Sequence, residues 1–280
     1  MLTRPVHRSS PSACGAEPVA EPGELRAAPP PSAEEGRKGP RANADRAVLE
    51  AFLADPANAV LVSFPRTGSH WLRMLIELYF ERPLLNLTFH HRDRTDYLLY
   101  HTHDLDLTLQ RQNVLYLYRD PVPTVYSQLV YHREDLADET RVRHWASLYG
   151  AHLDKWLFLE RDAHRKTILR YERLLADPWS EFVNVVRHFG ADEVRERFDE
   201  IVARASKDEI ARRTTHDPKV IASGAEYERR RRQFFAAFRE AVWEAVLDGR
   251  PEVLTAFPEE LARRGGTDHH ATCADREHTA

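Results

Sequence analysis

The stretch from Ala59 to Phe80 constrains the fold of this chain more than any other part of it. It opens with a short apolar run at residues 60–62, which is typical of a buried strand. A turn follows at residues 65–70, and apolar residues then recur at helical spacing from Trp71 to Tyr79. The stretch therefore predicts a strand, a tight loop and a helix in succession.

The predicted loop has the composition of an anion site. The first turn of a helix leaves backbone N–H groups without intrahelical partners, and the helix dipole adds roughly half a positive charge there. Gly68 allows the backbone to approach a ligand, and Thr67 and Ser69 carry hydroxyl groups. Arg66 carries a guanidinium fork that matches phosphate or sulfate oxygens. An ordinary strand–helix corner with a surface arginine is the alternative interpretation.

The loop is not a Walker A motif, because that motif requires G-x-x-x-x-G-K-[ST]. Residues 63–71, SFPRTGSHW, instead resemble the phosphosulfate-binding loop of the sulfotransferases that use 3′-phosphoadenosine 5′-phosphosulfate (PAPS). The family pattern is approximately [YF]-P-[KR]-[ST]-G-[ST]-[TSH]-W-L, and the small cytosolic members usually carry Lys at the position of Arg66. The resemblance implies that Trp71 flanks the adenine. It also implies that five loop residues hold the 5′-phosphosulfate: Arg66, Thr67, Gly68, Ser69 and His70.

A second signature lies about fifty residues further along. Residues 114–118 predict a strand, and a helix is expected from Pro123 to His132. Residues 119–127, RDPVPTVYS, run from the end of this strand into this helix. They resemble the 3′-phosphate-binding segment of the same family, R-[DN]-P-x-x-x-x-x-S. Arg119 and Ser127 match its two phosphate contacts. Either residue alone would be read as an ordinary surface or helix position, but two signatures in the right order are far more specific than one.

A histidine follows another predicted strand, residues 97–100. Residues just past the carboxyl ends of strands line the ligand crevice of open α/β sheets, and histidine titrates near neutral pH. A structural histidine bonded to a backbone carbonyl is equally compatible with this segment. The family places its catalytic histidine in a K-T-H-like motif, whose last two positions match Thr102 and His103. The resemblance implies that His103 is the base, and it leaves His101, at the Lys position, as the alternative.

Tyr171 ends the next predicted strand, residues 167–171. The segment RYERLLADP resembles the family pattern Y-E-[DR]-L-x-x-[DN]-P, in which the tyrosine borders the adenine, so Tyr171 is a candidate nucleotide contact. The R-K-G segment that binds the 3′-phosphate in many members is missing. The arginine run 229–232 or the pair 212–213 is a candidate replacement, although such a run is usually a solvated helix face.

Composition sets the broad class. A hydrophobic fraction of 42% and a charged fraction of 30% are typical of a soluble globular protein, and a net charge of -4 argues against a nucleic-acid binder. The sequence contains no run of about 18 apolar residues, so no membrane span is predicted. The two cysteines, Cys14 and Cys273, form no disulfide pattern, which favours a reducing, cytoplasmic location.

The ends of the chain differ from its middle. Residues 1–44 hold eight of the 17 prolines and are expected to be a disordered tail, as are residues 265–280. Residues 45–264 are expected to form one domain. Alternating strands and helices predict an α/β three-layer sandwich around a mainly parallel sheet. The resemblance makes this the P-loop-NTPase-like sulfotransferase fold.

The resemblance implies transfer of a sulfuryl group from PAPS to a hydroxyl or amine of a small-molecule or carbohydrate acceptor, without a metal. This activity is that of the EC 2.8.2 class. The alternatives are an ATP-using P-loop-type kinase, a catalytically silent PAP(S)-binding protein, and a nucleic-acid-binding module built on the arginine run 229–232. Neither the acceptor nor the oligomeric state can be read from these patterns.

Overall fold

A computed structural model describes residues 46–158, 164–213 and 224–265 of the chain. The predicted N-terminal tail lies outside the described residues, and so does the predicted C-terminal tail except for Gly265.

Four parallel strands form the central sheet in the order β2-β1-β3-β4. Their bounds are β1 (Ala59–Ser63), β2 (Leu99–Thr102), β3 (Asn113–Tyr118) and β4 (Arg165–Arg170). Val62 of β1 pairs with Thr102 on one side and with Tyr116 on the other, so the strands end close together. All four carboxyl ends therefore lie along one edge of the sheet.

The predicted bounds of two strands are wrong by one or two residues. The sequence predicts the second strand at residues 97–100, but β2 starts at Leu99, so His101 and Thr102 lie within the strand. The Leu98 N–H donates to the Pro83 carbonyl at 2.9 Å, and pairing with β1 begins one residue later, between Ala59 and Leu99. Tyr171 is predicted to end the last strand, but it is the first residue of a helix.

Helices connect and cover the strands. They are α1 (Arg46–Ala54), α2 (Ser69–Phe80), α3 (Pro121–His132), α4 (Glu139–Phe158), α5 (Tyr171–Ala176), α6 (Pro178–His188), α7 (Arg195–Arg204), α8 (Lys207–Arg213), α9 (Ala225–Leu247), a 3₁₀ helix (Pro251–Ala256) and α10 (Pro258–Gly265). Within the described ranges, none of these helices combines the length and the apolar character that a bilayer crossing requires.

Alternate residues of the buried strands point to opposite faces of the sheet. Leu61 of β1 and Leu115 of β3 belong to an apolar cluster with α2, α6 and α7. Their neighbours Val62 and Val114 belong to a second cluster with α3, α4 and α9. Because helices bury both faces, the predicted three-layer α/β architecture with a parallel sheet is confirmed.

The irregular segment between α2 and β2 is held by a buried carboxylate. Glu77 of α2 is fully buried, and its two oxygens accept hydrogen bonds from the backbone N–H groups of Phe89, His90 and His91 at 2.6–2.8 Å. These three bonds satisfy donors that would otherwise be buried without partners. The paired histidines thus lie in a structured loop beside the sheet.

Helices α4 and α9 approach each other closely at Gly150 of α4. A Cβ placed there would lie 2.4 Å from the backbone oxygen of Val246, well inside van der Waals contact. The fully buried Trp243 of α9 lies in the same cluster. Gly150 therefore sets the distance between the two longest helices described.

Gly150→Ala should destabilise the protein by about 2 kcal/mol, because the added methyl group pushes α9 away from α4. Helix propensity alone predicts the opposite sign, a gain of up to about 1 kcal/mol. Urea unfolding measures the difference, with Ser147→Ala on the same helix as a control that should change stability by less than about 0.5 kcal/mol. Stabilisation by Gly150→Ala would contradict the close helix contact.

Candidate functional site

The loop between β1 and α2 has two residues in the left-handed region, Arg66 (φ 72°) and Gly68 (φ 92°, ψ 15°). A left-handed residue followed by helical Ser69 turns successive N–H groups toward one concave side, an arrangement that binds anions. The Thr67 hydroxyl donates to the Phe64 carbonyl at 2.8 Å and is buried within the loop. Thr67 therefore shapes the loop with its side chain. The Trp71 N–H donates back to the Gly68 carbonyl at 3.1 Å.

Gly68 is constrained by its neighbour as well as by its own φ angle. A Cβ at this position would lie 2.3 Å from Cε2 of Tyr171, which opens α5 after β4. The backbone of the loop thus lies directly against the Tyr171 ring. Trp71 and Tyr171 are both half-buried at the rim of the same apolar cluster.

Arg66, Arg119 and Ser127 come together at the carboxyl edge of the sheet. The Arg66 Nε donates to the Ser127 Oγ at 3.0 Å, and an Arg119 Nη donates to the Arg66 carbonyl at 3.2 Å. The Arg119 guanidinium lies 4.6 Å from the centre of the Tyr171 ring. These contacts join the carboxyl ends of β1 and β3. We call Arg66, His103, Arg119, Ser127 and Tyr171 the strand-end cluster.

Arg66 and Arg119 bring two positive charges into this cluster. Burial lowers the pKa of Arg66, and the charge of Arg119 lowers it further, while the nearby Tyr131 and Tyr227 side chains oppose this shift. The buried Nε of Arg119 has no hydrogen-bond partner among the described residues. A bound anion would supply that partner and offset the repulsion.

Tyr149 of α4 holds the backbone at Arg119 and is a contact that the sequence does not predict. Its hydroxyl donates to the Arg119 carbonyl at 2.7 Å and accepts from the Arg119 N–H at 2.9 Å. Burial raises the pKa of Tyr149 well above its usual range, so the hydroxyl keeps its proton. Tyr149 lies among apolar residues of α4, and nothing local in the sequence marks its hydroxyl as a backbone anchor.

His103 lies just past β2 with one ring nitrogen bonded. Its Nδ1 is 2.7 Å from the Ser63 carbonyl, which can only accept, so Nδ1 carries the proton and Nε2 carries the lone pair. Burial lowers the pKa of His103, and the charges of Arg73 and Arg66 lower it further, against the effect of the Ser63 bond. The imidazole is therefore neutral near pH 7.

A second buried histidine holds the backbone of His103 in place. The Nε2 of His152 on α4 donates to the His103 carbonyl at 2.9 Å, and the Tyr116 hydroxyl donates to its Nδ1 at 2.9 Å. Burial lowers the pKa of His152 to about 3, which keeps its ring neutral. The position of His103 is thus fixed both through its ring and through its main chain.

His101 differs from His103 because both of its ring nitrogens are bonded. Its Nε2 lies 3.0 Å from the Ser63 Oγ, and its Nδ1 lies 3.3 Å from an Arg73 Nη. Only 5% of its surface is exposed, and burial holds its pKa well below the usual range. His101 therefore has no nitrogen left to take a proton from a ligand.

The candidate replacements for the missing R-K-G segment pair mainly with nearby glutamates. Arg229 pairs with Glu226 at 2.7 Å, and Arg231 pairs with Glu228 at 3.2 Å, both within α9. Arg213 pairs with Glu209. Such bonds are typical of a solvated helix face. Residues 214–223, between α8 and α9, lie outside the described part of the chain.

No group of His, Cys, Asp and Glu within the described ranges could hold a metal ion.

Two solved structures resemble the chain distantly. One is a mouse sulfotransferase, SULT7A1, complexed with PAP, at 15% identity over 78% of this chain and 92% of that chain, with a TM-score of 0.48. The other is a retinol dehydratase in complex with androsterone and the inactive cofactor PAP, at 13% identity over 68% of this chain and 84% of that chain, with a TM-score of 0.44. No curated protein matches the sequence.

The model of the sulfotransferase domain family matches residues 98–236, which is just under half of the chain. The match includes His103, Arg119, Ser127 and Tyr171, and it begins after the loop at residues 63–71. The family recognised from the sequence motifs is confirmed over residues 98–236, which match the model of the sulfotransferase domain family.

Proposed function

We propose that this chain, through a domain spanning residues 45–264, transfers a sulfuryl group from PAPS to a hydroxyl or amine of a small-molecule or carbohydrate acceptor. The observation that carries the proposal is the convergence of Arg66, Arg119 and Ser127 beside the β1–α2 loop. Sulfuryl transfer from PAPS is the activity of EC class 2.8.2. The low cysteine content fits a cytoplasmic enzyme.

The two ends of the nucleotide would be bound by different strand ends. The loop N–H groups, Ser69, His70 and Arg66 would hold the 5′-phosphosulfate, as the left-handed turn at Gly68 favours. Arg119 and Ser127 would hold the 3′-phosphate, which is the group that distinguishes PAPS from ATP. The buried Arg119 Nε–H, which finds no acceptor in the described part of the chain, supports this role.

The adenine would lie between aromatic side chains at the same edge. Trp71 and Tyr171 are half-buried around the loop, and Tyr171 already carries the Arg119 guanidinium on its face. A purine ring stacks readily on such aromatic surfaces. Thr67 would contribute through the loop shape that its hydroxyl maintains.

The chemistry assigned to the cluster is an in-line displacement at sulfur. The acceptor O–H or N–H gives its proton to the Nε2 of His103 while the acceptor atom forms a bond to sulfur. The bond between sulfur and the bridging oxygen breaks, and the electron pair stays with PAP. By analogy with phosphoryl transfer, positioning and charge stabilisation supply most of the catalysis, and Arg66 stabilises the charge that develops on the leaving oxygen.

His103 is favoured over His101 as the base on geometry. Its Nδ1 is engaged with the Ser63 carbonyl, which leaves the Nε2 lone pair for a substrate proton. Both nitrogens of His101 are engaged with Ser63 and Arg73.

A direct test combines PAPS with a panel of hydroxyl and amine acceptors and detects products that gain one sulfo group by mass spectrometry. A thermal-shift comparison accompanies it, in which PAP should stabilise the protein and ATP should not. Stabilisation by ATP alone would favour the kinase alternative. Binding of PAP without transfer to any acceptor would favour a catalytically silent binding protein.

Arg66→Ala should lower kcat by about 10²–10³-fold, because it removes a charged donor from the developing oxyanion. The Kd of PAP should rise less than kcat falls, since PAP lacks the transferred group. Isothermal titration and steady-state kinetics measure the two effects. Arg195→Ala, an exposed arginine of α7, serves as the control and should change neither. Equal and modest losses in kcat and in PAP affinity would contradict the role of Arg66.

The kcat/KM profile should fall only as the pH drops below about 6.5, the ordinary pKa of histidine. The pKa of His103 is lowered, so the basic form persists from neutral pH down to that lowered value and is lost below it. His103→Gln should lower the activity at least about 10²-fold and leave PAP binding intact. An active His103→Gln enzyme would show that His103 is not the base.

A further inference from the structure

A buried chain of hydrogen bonds runs behind the proposed base, from α2 through β2 to β1. An Nη of Arg73 lies 3.3 Å from the Nδ1 of His101, and the Nε2 of His101 lies 3.0 Å from the Ser63 Oγ. The carbonyl of the same Ser63 accepts from the Nδ1 of His103 at 2.7 Å. The rings of His101 and His103 also contact each other edge to face, with centres 4.9 Å apart.

Arg73 fixes the direction of the first two bonds in this chain, and the Ser63 carbonyl, which can only accept, fixes the direction of the last. A guanidinium has only donors, so the Nδ1 of His101 must accept and its Nε2 must carry the proton. Burial lowers the pKa of Arg73 to about 9, which still leaves it protonated near neutral pH. The Nε2–H of His101 then donates to the Ser63 Oγ and holds the end of β1, whose carbonyl sets the tautomer of His103.

The first two members of the chain, Arg73 and His101, are held in place by further hydrogen bonds. Arg73 is 3% exposed, and its second Nη donates to the Leu87 carbonyl at 3.1 Å and to the Asn86 carbonyl. The Asn86 side chain in turn pairs with the main chain of His101, donating to its carbonyl at 2.6 Å and accepting from its N–H at 3.0 Å. His101 can therefore neither rotate its ring freely nor shift along the strand.

We propose that Arg73, His101 and Ser63 are positioning residues that fix the orientation and the tautomer of His103. The inference rests on the proposed function only for the effect on catalysis. The tautomer of His103 is a property of the folded protein whether or not it transfers a sulfuryl group. In this arrangement His101, which stands at the Lys position of the family motif, orients the base through Ser63.

Arg73 also acts on His103 through its charge. The charged and titratable groups that face the His103 ring come from the β1–α2 loop, α2, β2, α4 and the segment after β2: Arg66, Arg73, His101, His152 and Asp104. Two of these groups are cations that disfavour the imidazolium, and Asp104, which favours it, is paired with Arg111 at 2.8 Å. Removing the Arg73 charge should therefore raise the pKa of His103.

The experiment reads the histidine tautomers directly. Two-bond ¹H–¹⁵N spectra of protein labelled with ¹⁵N-histidine are recorded across pH, and His103→Gln identifies the His103 signals by their loss. The wild-type protein should show His103 protonated at Nδ1 and His101 protonated at Nε2. Ser63→Ala and His101→Phe should each give His103 a mixture of tautomers and lower kcat about 10-fold, with the KM of PAPS and the Kd of PAP changed less than about 2-fold.

Two arginine variants separate the charge from the hydrogen bond. Arg73→Met should raise the pKa of His103 by about half a unit or more and move the acid limb of kcat to higher pH. Arg73→Lys keeps the charge and should leave that pKa closer to the wild-type value. His188→Phe is the matched control for His101→Phe, because His188 is also a buried histidine, bonded to Thr167 at 2.9 Å on the far strand β4. It should leave the His103 signals unchanged.

An unchanged tautomer of His103 in both Ser63→Ala and His101→Phe would overturn the inference. If a variant at Arg73 fails to fold, Ser63→Ala still decides, since it removes a single hydroxyl and keeps the buried cation. A wild-type protein that shows the expected tautomers but neither binds PAP nor transfers a sulfuryl group would refute the proposed function and leave the positioning chain standing.

Discussion

The hydrogen bond from Arg119 to the carbonyl of Arg66 connects the carboxyl ends of β1 and β3, and the rest of the site depends on it. A parallel sheet places these ends at the same edge, but it does not by itself bring two loops into contact. The left-handed turn at Arg66 exposes that carbonyl, and the Tyr149 hydroxyl holds the backbone of Arg119 where the guanidinium reaches it. The β1–α2 loop, the end of β3 and helix α4 thus together fix the positions of Arg66 and Arg119.

Burial has opposite uses at the cationic and the imidazole groups of this edge. Burial disfavours the charge of Arg66, and the nearby charge of Arg119 disfavours it further, so a bound anion would offset both effects. Burial also keeps the rings of His103 and His152 neutral, so that their nitrogens act as directional donors and acceptors. The same buried surroundings therefore favour anion binding at the arginines and keep the histidines uncharged.

Local patterns in the sequence were sufficient to predict β1, β3 and the helices that follow them. The short apolar run of β1 is such a short-range signal. The helix after β3, which the sequence predicts from Pro123, starts two residues earlier at Pro121, where the Asp120 side chain accepts from the Val122 N–H. The bounds of β2 were harder to predict, because the apolar residues Leu98 and Leu99 do not reveal where pairing with β1 begins. Its displacement moves His101 into the strand.

The groups that support the site could not be predicted from spacing. Arg73 and Glu77 lie on α2 among apolar residues, and a helical pattern assigns such charged positions to solvent. Their partners are backbone groups of residues 86–91, which reach them only after the chain has folded back beside β2. Motifs locate the residues that would touch a ligand, whereas the residues that orient them depend on contacts across the fold.

The contact between Gly68 and the Tyr171 ring means that two positions about one hundred residues apart occupy a shared volume. Neither side chain can grow unless the other shrinks, so mutations at the two positions cannot accumulate independently. Sequence drift at this edge of the sheet is therefore expected to be correlated, with position 68 kept small for as long as position 171 remains aromatic.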